Sequence, residues 1–122
     1  MKRHSESSLF AKVSFRDHEK VKTELAALAR QAMQQEPNIE AVYLFGSRAS
    51  GNFSAHSDAD LLIIVQNDSH RPIDRIPRYL ELFMSAPIPI EVFPYTREEA
   101  EQNAFARRAM QQGLLLSSRD AS

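Results

Sequence analysis

Two acids separated by a single residue, Asp58 and Asp60, lead directly into the apolar run Leu61 to Val65. On a strand, a spacing of two places both carboxylates on the same face. Two like charges held that close repel unless a cation lies between them. Mg²⁺ suits the place, because it takes oxygen ligands and shares them with substrate phosphates. Mn²⁺ fits the same donors. A third acid, Glu91, sits in Pro-Ile-Glu-Val-Phe, where an unpaired charge among apolar residues costs free energy. If its strand lies beside that of Asp60, three carboxylates face one another and can hold two metal ions. One would activate an attacking hydroxyl, and the other would steady a triphosphate and its leaving group.

The second group of candidates is Gly46-Ser47-Arg48, in a chain that has only three glycines. A strand ending in Gly-Ser lets backbone N–H groups approach an anion with no side chain in the way. Ser47 adds a hydroxyl donor, and Arg48 adds a forked, permanent charge that matches phosphate oxygens. Ser57, next to Asp58, joins them as a candidate nucleotide-binding residue. Gly46 to Gly51 has the spacing of a P-loop, but Asn52 and Phe53 stand where Lys and Ser/Thr are required. Ser47 is not in a Gly-x-Ser-x-Gly elbow either.

Blander readings exist for each residue. Asp58 and Asp60 also suit a solvated strand start, Arg48 a surface cation, and Glu91 an edge charge that blocks sheet-to-sheet association. His4, His18, His56 and His70 show no ligand spacing and read as surface residues. Arg107-Arg108 reads as the solvated side of a helix, and Phe105, Met110 and Leu114 to Leu116 read as core.

The elements that must position these residues follow from periodicity. Residues 1–8 read as a flexible tail, and Leu9 to Phe15 as a short edge strand or extended lead-in. Val21, Leu25, Leu28 and Ala32 mark a helix from about Asp17 to Gln35, which Pro37 and Asn38 stop. Ile39 to Phe45 reads as a strand covered on both faces, and Asp58 to Val65 as a second. The turn-rich gap between them, only 12 residues, favours antiparallel neighbours over a βαβ unit. Ile73, Ile76, Leu80 and Phe83 give a helical stripe that contains Pro77. Pro87 to Tyr95 reads as a third strand, with its prolines favouring a sheet edge. Thr96 and Glu99 form a capping-box signature opening a helix to about Gln112, with Gly113 as its C′ residue. Leu114 to Leu116 packs back or forms a last short strand. The expected fold is α/β in content, of α+β organisation: a small mixed sheet with helices packed on it. Residues 9–117 form one domain, and residues 118–122 a C-terminal tail.

Composition narrows the function classes. The net charge of −1 gives no field that would draw the chain to nucleic acid, so direct nucleic-acid binding is not expected. With no cysteine, disulfides, thiolate nucleophiles and zinc–thiolate sites are excluded. The polar N-terminus is no signal peptide, and Leu61 to Val65 is too short to span a bilayer. A cytoplasmic protein without membrane contact is expected. So small a domain leaves apolar surface uncovered, which makes a homo-oligomer a second expectation.

Gly-Ser, ten intervening residues, Asp-Ala-Asp and a later acid between apolar residues resemble the nucleotidyltransferase superfamily related to DNA polymerase beta. Phe45-Gly46-Ser47-Arg48-Ala49-x-Gly51 followed by Ser57-Asp58-x-Asp60-Leu61 is similar to the minimal nucleotidyltransferases (MNT), partners of HEPN-domain proteins in prokaryotic toxin–antitoxin pairs. The likeness runs from about Val42 to Tyr95, and more weakly to Leu116. It implies a polymerase-beta-like fold, a nucleoside triphosphate such as ATP as substrate, and Mg²⁺ as cofactor. Gly46 and Ser47 would bind the triphosphate, Asp58 and Asp60 would bind metal, and Glu91 would take the third-carboxylate role. That last position is more often Asp in the family, and the extra methylene of Glu91 bears on turnover. The reaction implied is transfer of a nucleoside monophosphate to a hydroxyl, with a HEPN-type partner as acceptor. Two further readings are a docking module with weak or no turnover, and a small-molecule transferase of the aminoglycoside-modifying type.

Overall fold

In a computed structural model of the chain, residues 2–46, 49 and 58–119 are described, with side chains described from His18 onward. The chain runs α1 (Lys2–Gln35), β1 (Ile39–Phe45), β2 (Ala59–Val65), α2 (Pro72–Glu81), β3 (Ile90–Thr96), α3 (Arg97–Gln102), α4 (Ala104–Gln112) and β4 (Leu114–Ser118). The strands form one mixed sheet in the order β3-β2-β1-β4. β1 pairs antiparallel with both β2 and β4, and β2 pairs parallel with β3.

The antiparallel β1–β2 pair is the arrangement expected from the short gap between them. The parallel β2–β3 pair is made possible by the α2 crossover. Both faces of the central strands are covered, which is why β1 and β2 are apolar at nearly every position. One face packs Leu61, Ile63, Val65, Val42 and Leu44 against Leu25, Ala29 and Met33 of α1, with Tyr79 and Phe83 from α2 and the turn after it. The other packs Leu62, Ile64 and Ala41 against Ala100 of α3 and Ala106 and Ala109 of α4. The small alanines let the two short helices lie close to the strands.

Three expectations for the helices need correction. Of the expected tail at residues 1–8, residues 2–8 belong to α1, as does the lead-in at 9–15; the helix is continuous from Lys2. No glycine or proline interrupts residues 2–35, and extending a helix already nucleated costs far less than starting one. The segment 97–112 is two helices, broken at Asn103, whose side chain caps α4 by accepting from Ala106 N–H. The third correction is Gly113, whose φ of −79° is not the left-handed C′ conformation. Its requirement is closeness instead: a Cβ there would stand 2.8 Å from the Leu44 carbonyl oxygen and nearer still to that of Ala109.

Other signals hold. Thr96 and Glu99 close the capping box in both directions. Pro77 lies inside α2, exposed, without ending the helix. Arg119 reaches back across β1 to donate to the carbonyls of Ile39, Met33 and Glu36, and so satisfies orphan acceptors at the C-terminal end of α1. His18, expected at the surface, is 3% exposed within the packing of α1.

Candidate active site

The candidate carboxylates gather around the start of β2. Asp60 is the second residue of the strand and faces the same side as Leu62 and Ile64. The antiparallel register sets it opposite Phe45, the last residue of β1. The parallel register sets it opposite Glu91, the second residue of β3. Asp60 and Glu91 are therefore neighbours on one face, at the end of the sheet where β1 stops. Burial, the charge of Glu91, the charge of Asp58 and a hydrogen bond with Glu91 all raise the Asp60 pKa above the ordinary carboxylate value. A hydrogen bond between two carboxyl groups requires a proton on one of them. A divalent cation can hold the same two oxygens without it.

Asp58 precedes the strand and is exposed. It acts on Asp60 through its charge and not through contact in the ladder. Glu91 departs from expectation in one respect: it is exposed, because it lies at the open end of an edge strand. Its proximity to Asp60 marks it, and desolvation does not.

Among the described residues no three acid or histidine side chains converge closely enough to enclose a metal ion. The donor set nonetheless suits Mg²⁺, which is commonly held by one or two carboxylates with substrate phosphates and water completing its shell. Asp60 and Glu91 are the residues that would hold it, with Asp58 beside them.

Gly46 ends β1 against this pair. Its φ is +79°, the left-handed region that only glycine enters without strain, and a Cβ there would meet Asp60 Oδ2 at 2.7 Å. Its carbonyl accepts from Ala49 N–H at 3.2 Å. Gly46→Ala is expected to cost about 1–2 kcal/mol from the backbone alone. The clash falls on a movable carboxylate, so the fold survives while Asp60 is displaced. Thermal denaturation together with Mg²⁺-dependent ATP binding checks this. A stable variant with unimpaired binding would show that Gly46 does not set the Asp60 position. Ser47, Arg48 and Ser57, the other candidate phosphate ligands, lie outside the described residues, as does His56.

One feature of this face was not anticipated. Phe45, Phe93 and Phe105 form a mutual cluster with ring centroids 5.1–5.3 Å apart. Phe105, expected in the core, is 44% exposed. It is the second residue of α4, one position before the buried Ala106. The alternation of Phe45 with Tyr43, and of Phe93 with Glu91, was the signal that could have placed these rings on the carboxylate face.

The family described as polymerase beta, nucleotidyltransferase matches residues 29–122. The chain belongs to this family. The match covers every strand and each candidate site residue. The fold of this nucleotidyltransferase-family chain is shared with solved structures. A Sulfolobus solfataricus protein described as a candidate nucleotidyltransferase aligns at a TM-score of 0.67 and 19% identity, over 87% of each chain. A chain of a toxin–antitoxin complex determined with AMP-PNP aligns at 0.56 and 17% identity, over 79% of this chain and 75% of that one. No curated protein matches. Among the described residues no helix is long and apolar enough to cross a membrane.

Proposed function

We propose that the chain is a Mg²⁺-dependent nucleotidyltransferase that moves a nucleoside monophosphate, AMP from ATP in the first instance, onto a hydroxyl. The observation that carries the reading is the paired Asp60 and Glu91 carboxylates set against the positive-φ Gly46 in a chain of this family. Asp60 and Glu91 would hold the metal with Asp58 in support, and Gly46, which precedes Ser47 and Arg48 in the sequence, would leave room for the triphosphate. When bound, Mg²⁺ neutralises phosphate charge and makes an attacking hydroxyl more acidic. The acceptor oxygen bonds to the α-phosphorus, and the oxygen bridging the α- and β-phosphorus leaves with pyrophosphate. The acceptor proton passes to a nearby carboxylate or to water.

A protein acceptor is favoured over a small molecule. One fold neighbour is a chain of a toxin–antitoxin complex with AMP-PNP, and the motif resembles that of MNT partners of HEPN-type proteins. The acceptor in this reading is a hydroxyl of such a helical partner, in the cytoplasm. The second reading, docking without turnover, draws on the longer Glu91 side chain at the third-carboxylate position.

Calorimetry with ATP tests the site directly. Heat of binding is expected with Mg²⁺, and none with a chelator or in Asp58→Ala/Asp60→Ala. Binding that persists in the double variant, or no binding by the wild type, overturns the catalytic reading and leaves the docking module.

A further inference from the structure

We propose that the cavity between the end of β1 and α4 is the nucleoside subsite, in which the base of the bound nucleotide lies on the Phe105 ring; this rests on the reading of Asp60 and Gly46 as the metal–phosphate end. The cavity measures about 470 Å³ and is bounded by Phe45 and Gly46 on one side and by Phe105, Arg108, Ala109 and Gln112 on the other. Its size is that of a small-ligand site, roughly 300–1,000 Å³.

The arrangement follows from the helix. Phe105, Arg108, Ala109 and Gln112 are spaced i, i+3, i+4 and i+7, so they share one face of α4. Ala109 at the middle of that face is small and buried, which leaves the space open. Phe105 is held from behind by Phe45 and Phe93, both at ring-to-ring distances that fix its orientation. It is 44% exposed and lines the cavity, so among the described residues part of its surface is left to stack. Arg108 is exposed and has no acidic partner among the described residues. Gln112, also exposed, supplies an amide that both donates and accepts, as the edge of a base requires.

Continuity commits the occupant. Gly46 lines the cavity and also abuts the Asp60 carboxylate, so a ligand whose phosphates reach Asp60 has its other end in this space. A nucleoside, flat at the base and polar at its edge, fits a wall made of one aromatic face, one cation and one amide.

Titration of Mg-ATP and of Mg-tripolyphosphate into wild type, Phe105→Leu and Gln112→Ala separates the two ends of the site. Phe105→Leu keeps apolar packing against Phe45 and Phe93 and removes the stacking face. The expected result is ATP binding weaker by about tenfold or more, with tripolyphosphate affinity unchanged. Gln112→Ala is an exposed change that leaves the core intact, and it is expected to weaken ATP alone by a smaller factor. If Phe105→Leu does not fold, Gln112→Ala decides by the same comparison. Equal loss of both ligands, or unchanged ATP affinity in the variants, overturns the subsite while leaving the phosphate site standing. Wild type binding tripolyphosphate as tightly as ATP overturns the subsite too. Wild type binding neither ligand overturns the metal–phosphate reading, and the subsite with it.

Discussion

Asp60→Asn is expected to reduce nucleotidyl transfer at least about a hundredfold, while the melting temperature stays unchanged or rises. The rate effect comes from removing a charged metal ligand: a loss of about 3 kcal/mol in the transition state is a hundredfold in rate. The stability effect has the opposite sign because of where Asp60 sits. Burial, Glu91 and Asp58 all disfavour its ionised form. A carboxyl whose pKa is raised by folding is most favourable to the native state below its unfolded pKa, about 4, and loses that advantage as pH rises. Asparagine carries no charge at any of these pH values and keeps a hydrogen-bonding oxygen opposite Glu91.

The stability difference between variant and wild type should therefore be largest near neutral pH without Mg²⁺, and should close below pH 4. Thermal melts across that range, paired with transfer assays, check both halves. A large fall in melting temperature at pH 7 would show that the Asp60 carboxylate holds the fold together, and the activity loss would then say nothing about catalysis. A stable variant with wild-type turnover would remove Asp60 from the chemistry altogether.

The carboxylate pair was legible in the sequence for a physical reason. Asp60 precedes five fully buried residues, and Glu91, second in β3, precedes positions that alternate between buried and half-buried, so period-two alternation fixes their faces. Sheet order was the missing piece, since one strand cannot announce its neighbour. The sequence left open whether β3 lies beside β2; it does, and the exposure of Glu91 follows from β3 being the sheet edge. Other errors share a cause. The N-terminal half of α1 lacks a clean apolar stripe, so periodicity gave no helix there. His18 and Phe105 are single residues whose burial depends on which element covers them, and no local pattern carries that information. Gly113 was placed correctly at a helix end, but its reason is the approach of the Leu44 and Ala109 carbonyls, a tertiary fact.

Arg75 is the largest feature that the sequence concealed, because a lone arginine on an amphipathic helix reads as solvated. It is 3% exposed, and all five of its N–H donors are engaged. Nε donates to the His70 carbonyl at 2.8 Å, and Nη2 to the Asp68 carbonyl at 2.9 Å. Nη1 donates to the Pro94 carbonyl at 3.1 Å, and the fork grips Glu99 through Nη1 and Nη2 at 2.6 and 3.0 Å. Glu99 is also the capping-box acid of α3, accepting from Thr96 N–H. One guanidinium thus joins α2, the loop after β2, β3 and the start of the helix pair that covers the carboxylate face.

Arg75→Met is expected to cost about 3–5 kcal/mol, as in other buried charge networks broken on one side. Against a total of roughly 5–15 kcal/mol, such a loss leaves a marginal fold. The Asp68 side chain, nearly inaccessible, would keep its contacts to His70 but lose the nearby guanidinium. The acid dependence supplies the specific signature. Burial pushes the Asp68 pKa up, but hydrogen bonds from His70 and the charge of Arg75 outweigh it, so the net shift is downward. The Arg75 hydrogen bond is the main cause of the lowered Glu99 pKa. Carboxylates with lowered folded pKa values stabilise fully above about pH 4, and that contribution disappears as pH falls through the folded values. Wild type should therefore lose stability steeply in acid, and Arg75→Met, already without the guanidinium, should lose less, so that the two converge. Urea unfolding from pH 7 down to pH 3 measures the gap. A gap below about 1 kcal/mol at pH 7, within the range of a surface ion pair, would mean that the network contributes no more than exposed charges do. A gap that stays constant into acid would assign the loss to packing of the arginine stem and not to its charge.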